Sequence, residues 1–179
     1  MKTISIKPSI QTAYLALEKS TPLRTDCGKL CEKSCCRGFA SDLGMYLFPG
    51  EEAFFKSLPK ASFPSMKLKR SKFKLENGES VHLLLCPGSC PRHLRPLSCR
   101  IFPLTPYLTA GGILMVKIDP RSRRLCPLAE NGSKRFLSRD FVRRVRRACK
   151  ALTADEKILA YIEKLSRMLD ERFFQIKYP

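Results

Sequence analysis

The sequence has no tryptophan, only two histidines and no long apolar run. With so few histidines and no carboxylate pair marked out by spacing, neither a Ser/His/Asp set nor an acid/base pair can be recognised. No window approaches the roughly 18 consecutive apolar residues of a membrane helix. We therefore expect no membrane span, and whether the protein is an enzyme stays open.

The first twenty residues lack the features of a secretion signal. Lys2 comes at once, but no apolar core of about 7–15 residues and no small-residue cleavage site follow. We therefore expect a cytoplasmic protein, in which thiols stay reduced and clustered cysteines more often bind metal or do redox work. Disulfides and structural free thiols are the alternatives.

The length of 179 residues allows one domain, or one domain with a helical appendage. We predict an α+β fold, in which a small, irregular, cysteine-rich metal-binding domain carries short β-hairpins and is followed by C-terminal helices. The proposed division places the cysteine-cluster domain at 1–130. A basic helical C-terminal extension at 131–179 is expected to pack on it.

Two β-hairpins are predicted from turn residues. Asn77-Gly78, the strongest short turn signal, joins strands at 72–75 and 80–85. Gly111-Gly112 joins strands at 105–109 and 113–118. Shorter strands are expected at 3–6 and 45–48. The stretch 86–103 has neither helical nor strand periodicity, so we expect something other than an apolar stripe to hold it.

Helices are predicted by apolar spacing and by capping residues. Ile10, Tyr14, Leu15 and Leu17 form a partial stripe near the N-terminus, and the acidic pair Glu51-Glu52 suits the first turn of a short helix. Ser138 is expected to cap a helix whose apolar face includes Phe141, Val142, Val145, Ala148 and Cys149. Thr153-x-x-Glu156 has the spacing of a capping box for the last helix, with Ile158, Leu159, Ile162, Leu165, Met168 and Leu169 on one face.

Eight of the nine cysteines fall in three groups, and we predict that they bind metal. The predicted ligands are Cys27, Cys31, Cys35, Cys36, Cys86, Cys90, Cys99 and Cys126. All-thiolate ligation suits structural zinc or an iron–sulfur cluster. Eight ligands allow two four-cysteine sites, and the doublet Cys35-Cys36 can serve two sites or one. The spacing alone does not separate zinc from iron–sulfur, because neither paired C-x2-C nor C-x2-C-x2-C is present.

Three residues near these groups allow further expectations. Cys149 falls on an apolar helix face and is interpreted as a core residue. His93, three residues after Cys90, either replaces one cysteine as ligand or hydrogen-bonds to nearby backbone, and His82 is expected to be a strand side chain. Arg100 directly follows Cys99, where a cation would stabilise a thiolate cluster.

The cysteine pattern resembles a known family. Cys31-x3-Cys35-Cys36, a later cysteine-rich loop and the run RPLSCRIFP at 95–103 resemble the zinc- or iron-chelating family known by its CxxCxxCC motif. The resemblance covers 27–126, although x3 stands between Cys31 and Cys35 where two residues are usual. Flagellin lysine-N-methylases have a similar cysteine domain, and this similarity implies a [4Fe–4S] cluster, which we expect in preference to zinc. No Gly-rich loop for S-adenosylmethionine is present, so the similarity does not extend to methylase activity.

The net charge of +18 predicts an acidic partner. Residues 121–150 hold eleven basic and two acidic side chains, and Arg143, Arg144, Arg146 and Arg147 fall together on one predicted helix face. RNA, the ribosome or an acidic protein are the partners this pattern favours, and a solvated helix face is the alternative. Residues 60–75 hold six more basic residues, which form either a binding patch or a solvated edge strand.

Overall fold

The computed structural model describes residues 6–37, 44–59, 66–85 and 90–174. The strand expected at 3–6 lies almost wholly outside these ranges. The predicted ligand Cys86 lies outside them altogether, as does part of the basic segment 60–75.

Within these ranges the chain has an α+β fold with two small antiparallel sheets, as the sequence predicts. The helices are α1 Pro8–Ala16, α2 Ser34–Arg37, α3 Glu52–Ser57, α4 Leu97–Ile101, α5 Arg139–Leu152 and α6 Glu156–Leu169. The strands are β1 Met45–Tyr46, β2 Lys67–Lys74, β3 Ser80–Leu85, β4 Leu104–Leu108 and β5 Leu114–Ile118. Short 3-10 turns connect several of them.

Both predicted hairpins are confirmed. The first sheet has the order β1-β3-β2, and the β2–β3 hairpin turns at Gly78, whose φ of +81° is costly for other residues. The second sheet pairs β4 with β5 from Leu104 opposite Ile118 to Leu108 opposite Leu114. Because β2 is an edge strand of its sheet and its lysines are exposed, the edge-strand interpretation fits the described part of the basic segment 60–75.

One hydrophobic core joins the N-terminal and C-terminal parts of the chain. Ile10 of α1, Val145 of α5 and Ile162 of α6 are all fully buried in it. Helix α1 packs directly on α5. Cys149 is also fully buried, so its interpretation as a core residue is confirmed. The C-terminal helices thus pack on the rest of the fold, while the division at residue 130 stays a prediction.

Three local predictions were wrong. Leu15 was predicted to lie in the apolar stripe of the first helix, but it points away from the core and is 71% exposed. The helix ends at Ala16, and its buried residues are Ile10 and Ala13. Asp155, not Thr153, caps α6: its carboxylate accepts the Ile158 N–H at 3.1 Å. The described part of the stretch 86–103 is held in part by apolar contacts, because Leu97 and Ile101 of α4 are buried in the hydrophobic core; α4 and the 3-10 turn Arg92–Leu94 are too short to show a period.

No helix in the ranges that the structure describes is long and apolar enough to span a bilayer.

The Asp155 cap gives a test of the revised start of α6. Asp155→Ala removes the cap and also a 2.6 Å ion pair with Lys7, so we expect a loss of about 1–2 kcal/mol in the free energy of unfolding. Thr153→Ala should cost less than about 0.5 kcal/mol, because that hydroxyl bonds only to the Lys150 carbonyl on an exposed turn. Urea denaturation of both variants measures the difference, and equal losses would restore the capping-box interpretation.

Candidate metal centre

Four of the predicted ligands line one small cavity. These cavity cysteines are Cys35, Cys36, Cys90 and Cys99, and the cavity has a volume of about 60 Å³. Its other walls are mostly apolar: Gly44, Met45, Met66, Leu84, Pro96 and Phe102, with Arg95.

Three short elements bring these sulfurs together. Helix α2 carries Cys35 and Cys36, α4 carries Cys99, and Cys90 lies just before the 3-10 turn Arg92–Leu94. Cys27, Cys31 and Cys35 follow one another at intervals of four residues, a spacing that suits one face of a helix as well as an irregular loop. The structure has the loop, because Glu32 and Lys33 adopt left-handed conformations with φ of 47° and 61° between Cys31 and α2.

A second group contains Cys27, Cys31 and Cys126. Burial raises the pKa of the Cys27 thiol, and the nearby sulfurs of Cys126 and Cys31 raise it further. Burial also raises the pKa of Cys126, against the Leu128 and Ala129 N–H groups that donate to its sulfur. We call Cys27, Cys31 and Cys126 the turn cysteines, because Cys27 opens one 3-10 turn and Cys126 precedes another.

Cys35 lies between the two groups. Its thiol donates a hydrogen bond to the sulfur of Cys36, and this bond is the largest cause of its raised pKa, followed by burial. Cys31 and Cys27 also raise it, so Cys35 is close to the turn cysteines as well as to the cavity. Cys35 and Cys36 therefore both line the cavity, and Cys35 is also close enough to the turn cysteines for their charges to affect its pKa.

Arg95, rather than Arg100, is the cation at the cysteines. Burial opposes the Arg95 charge, but Cys90, Cys36 and Cys99 hold the pKa of this guanidinium above its usual value, and Cys90 accepts its hydrogen bond. Arg100 turns away from the sulfurs. It donates to the Arg95 and His93 carbonyls at 3.0 and 2.9 Å and stacks 4.5 Å over the Tyr14 ring. The placement of Arg100 at the cluster was therefore wrong.

Behind the cavity lies a buried carboxylate, Glu51, which the sequence interpretation treated as an ordinary first-turn acid. It is fully buried. The Tyr14 hydroxyl and the Leu97 N–H donate to its Oε1 at 2.6 and 2.7 Å, and the Phe48 N–H donates to its Oε2 at 3.0 Å. Glu51 thereby ties α1 and the chain after β1 to the first residue of α4, the helix that carries Cys99.

Burial has a large effect on the pKa of the Glu51 carboxylate. It raises the pKa of Glu51 to about 7, although the Leu97 and Phe48 N–H groups, the Tyr14 hydroxyl and Arg100 all lower it. Burial and the Glu51 charge together also raise the pKa of Tyr14. No sequence pattern marked Glu51, because an acidic residue at a helix start is equally consistent with exposure.

The two histidines do not join the site. His93 is exposed and does not line the cavity, and its carbonyl accepts Arg100. His82 is a side chain of β3, as predicted, with Nδ1 3.8 Å from the Glu52 carboxylate.

The predicted arginine face lies on α5 and is partly neutralised. Asp140 accepts from Arg143 at 2.5 Å and from Arg144 at 2.7 Å. Arg146 and Arg147 are exposed on the same helix.

Clustered cysteine sulfurs are suitable ligands for a thiophilic metal, but the described cysteines are not arranged around a metal position. The eight described cysteines are thiols without a disulfide, and no three Cys, His, Asp or Glu side chains in the described ranges are arranged to hold a metal ion. Burial raises the pKa of Cys27 and Cys126, and the hydrogen bond to Cys36 raises that of Cys35; repulsion from neighbouring sulfurs adds to each, so protonated sulfur is favoured. A bound cation reverses this preference, because a coordinating thiol is deprotonated.

Comparison with known proteins finds no matching family model, no matching curated protein and no matching solved structure. The resemblance to the CxxCxxCC family therefore stays a prediction from the cysteine pattern.

The raised pKa of Glu51 predicts an unusual pH dependence of the free energy of unfolding. The folded state holds this proton more tightly than the unfolded state, whose pKa is near 4.5, so the contribution of Glu51 to stability is fully present below about pH 4.5 and is lost as pH rises to about 7. The slope from this group alone is at most about 1.4 kcal/mol per pH unit. Glu51→Gln cannot titrate and should lack that component in urea denaturation between pH 5 and 7 in reducing buffer.

Glu163→Gln is the matched control for this experiment, because Glu163 is exposed on α6. It should keep the wild-type slope. Parallel stability curves for wild type and Glu51→Gln would show that Glu51 is already ionised in the folded protein at these pH values.

Proposed function

We propose that this protein binds metal through its clustered cysteines, holding a [4Fe–4S] cluster or two four-cysteine metal centres. The observation that carries the proposal is the convergence of Cys35, Cys36, Cys90 and Cys99 on one small, mostly apolar cavity. Cys86 belongs to the predicted ligand set but lies outside the described residues. Structural zinc in the same ligands is the alternative metal.

Charge supports a thiophilic cation at this place. Four thiolates around one Zn²⁺ or one [4Fe–4S]²⁺ core leave a net charge of about −2, and Arg95 already lies beside Cys90 and Cys36 to offset part of it. Two such centres would lower the formal net charge from +18 to roughly +14. An iron–sulfur cluster would supply one-electron chemistry, with a redox or protein-modifying role, and zinc would supply stability.

The turn cysteines and the cavity cysteines offer a test of whether there are one or two centres. Cys99→Ser removes a cavity ligand and Cys126→Ser removes a turn ligand. If two centres exist, each variant purified without oxygen should keep about half of the wild-type metal, whereas a single centre held by the cavity cysteines should be lost in Cys99→Ser and kept in Cys126→Ser. Iron, sulfide and zinc analysis measures the content.

Cys149→Ala is the matched control, because Cys149 is a fully buried cysteine of the hydrophobic core that does not line the cysteine cavity and is not a predicted ligand. It should keep the full wild-type metal content. Equal metal in all three variants would contradict the proposed ligands, and far-UV circular dichroism identifies a variant that has lost metal only because it has not folded.

RNA or ribosome binding through α5 is a second candidate function. Arg146 and Arg147 are exposed, whereas Arg143 and Arg144 are paired with Asp140. The first pair is therefore better placed for phosphate contacts, although an acidic protein surface would suit the same side chains.

Two double variants with the same loss of charge test this candidate. Arg146→Ala/Arg147→Ala should lower the affinity for a double-stranded RNA and reduce the slope of log affinity against log salt by roughly 1 to 2. Arg143→Ala/Arg144→Ala should reduce that slope less. Filter binding over a salt series measures both, and undetectable RNA binding by the wild type at low salt would remove this candidate.

A further inference from the structure

A second, larger cavity lies beside the cysteine cavity. Its volume is about 260 Å³, and it shares the wall residues Gly44, Met45 and Phe102 with the cysteine cavity. Elements of both sheets, α4 and α6 surround it, and the lining is mainly apolar. An apolar pocket with few polar groups is the usual form of a small-molecule site.

The polar group that points to a ligand is the hydroxyl of Tyr161. This residue lines the cavity and is only 3% exposed. Its ring packs edge-on against Phe48 and Phe73, with centroid distances of 5.5 and 5.7 Å. Its O–H has no hydrogen-bond partner among the residues that the structure describes, and it is not one of the fully buried unpaired atoms, so it meets the open space of the cavity. A tyrosine hydroxyl in a buried side chain normally has a partner, so the occupant of the cavity, water or a ligand, supplies one.

The charged residues of the cavity already neutralise each other. Asp119 is buried and holds the Arg121 guanidinium through two bonds, at 2.9 Å from Nε and 2.6 Å from Nη2. This pair contributes no net charge to the cavity, so nothing there requires a charged ligand. Arg121 is 38% exposed in its side chain, so the lining reaches solvent on that side.

Size limits the ligand to a small ring system. A cavity of about 150 Å³ accommodates benzene, so about 260 Å³ has room for one or two fused rings. The hydroxyl of Tyr161 stays protonated at neutral pH, because burial raises its pKa, and it therefore acts as a donor.

We propose that this cavity binds a small, flat, uncharged molecule whose carbonyl oxygen accepts a hydrogen bond from Tyr161. The site is distinct from the cysteine cavity and does not require metal. The two share the wall at Met45 and Phe102, so a ligand here would lie next to the proposed metal centre.

Three probes of one ring size test this proposal: 2-acetylnaphthalene, naphthalene and 2-naphthoate. We expect 2-acetylnaphthalene to bind about fivefold more tightly than naphthalene, the effect of one neutral hydrogen bond. The anionic 2-naphthoate should bind more weakly than 2-acetylnaphthalene, because Asp119 already occupies the Arg121 fork. Titration followed by backbone amide chemical shifts should move Ser98, Ile101 and Thr105, which line the cavity.

Tyr161→Phe should abolish the preference for the ketone while keeping naphthalene binding. Tyr107→Phe is the matched control, because Tyr107 bonds Asp170 through its hydroxyl and does not line this cavity. The proposal is overturned if no probe binds, if shifts occur elsewhere, or if wild type and Tyr161→Phe discriminate equally. Because the wild-type preference and its location are measured without a variant, a Tyr161→Phe protein that fails to fold does not block the test. Cys99→Ser should retain ketone binding, so failure of this proposal is separable from failure of the metal proposal.

Discussion

The buried carboxylate of Glu51 is the interaction on which the arrangement of the cysteine cavity depends. Three donors from α1, the chain after β1 and the start of α4 converge on its two oxygens. Loss of a partner from such a network costs about 1–3 kcal/mol for each polar group left buried and unpaired. Since Leu97 lies two residues before Cys99, the same bonds that satisfy Glu51 also fix the position of one cavity sulfur.

Two arginines that are five residues apart in the sequence compensate the charge of different groups. Arg100 stacks on Tyr14 and lies near Glu51, whereas Arg95 bonds Cys90. One cation therefore serves the buried acid and the other serves the sulfurs. This division gives a physical reason for both arginines in the run RPLSCRIFP.

Local signals in the sequence predicted the parts of the fold that depend on local conformation. Asn77-Gly78 identified the first hairpin because a turn with positive φ is a local requirement, and the apolar period of α5 identified its buried face. Glu51 and Arg100 were misplaced because both contact Tyr14, which is distant in sequence, and Tyr161 was missed because the cavity that it lines is formed by elements distant in sequence. The meeting of Cys35 and Cys36 with Cys90 and Cys99 was expected from residue type, but the division of eight ligands between centres depends on tertiary packing, and metal binding itself stays a prediction.

The most direct test of the central claim is an optical spectrum of the wild-type protein purified without oxygen, combined with iron, sulfide and zinc analysis. The account predicts a brown protein with roughly four or eight irons per chain and as many sulfides. A colourless protein with about one or two zincs would keep the thiolate centre and exclude the cluster. A protein that carries neither iron nor zinc would contradict the claim and identify the cysteines as a partly buried group of thiols.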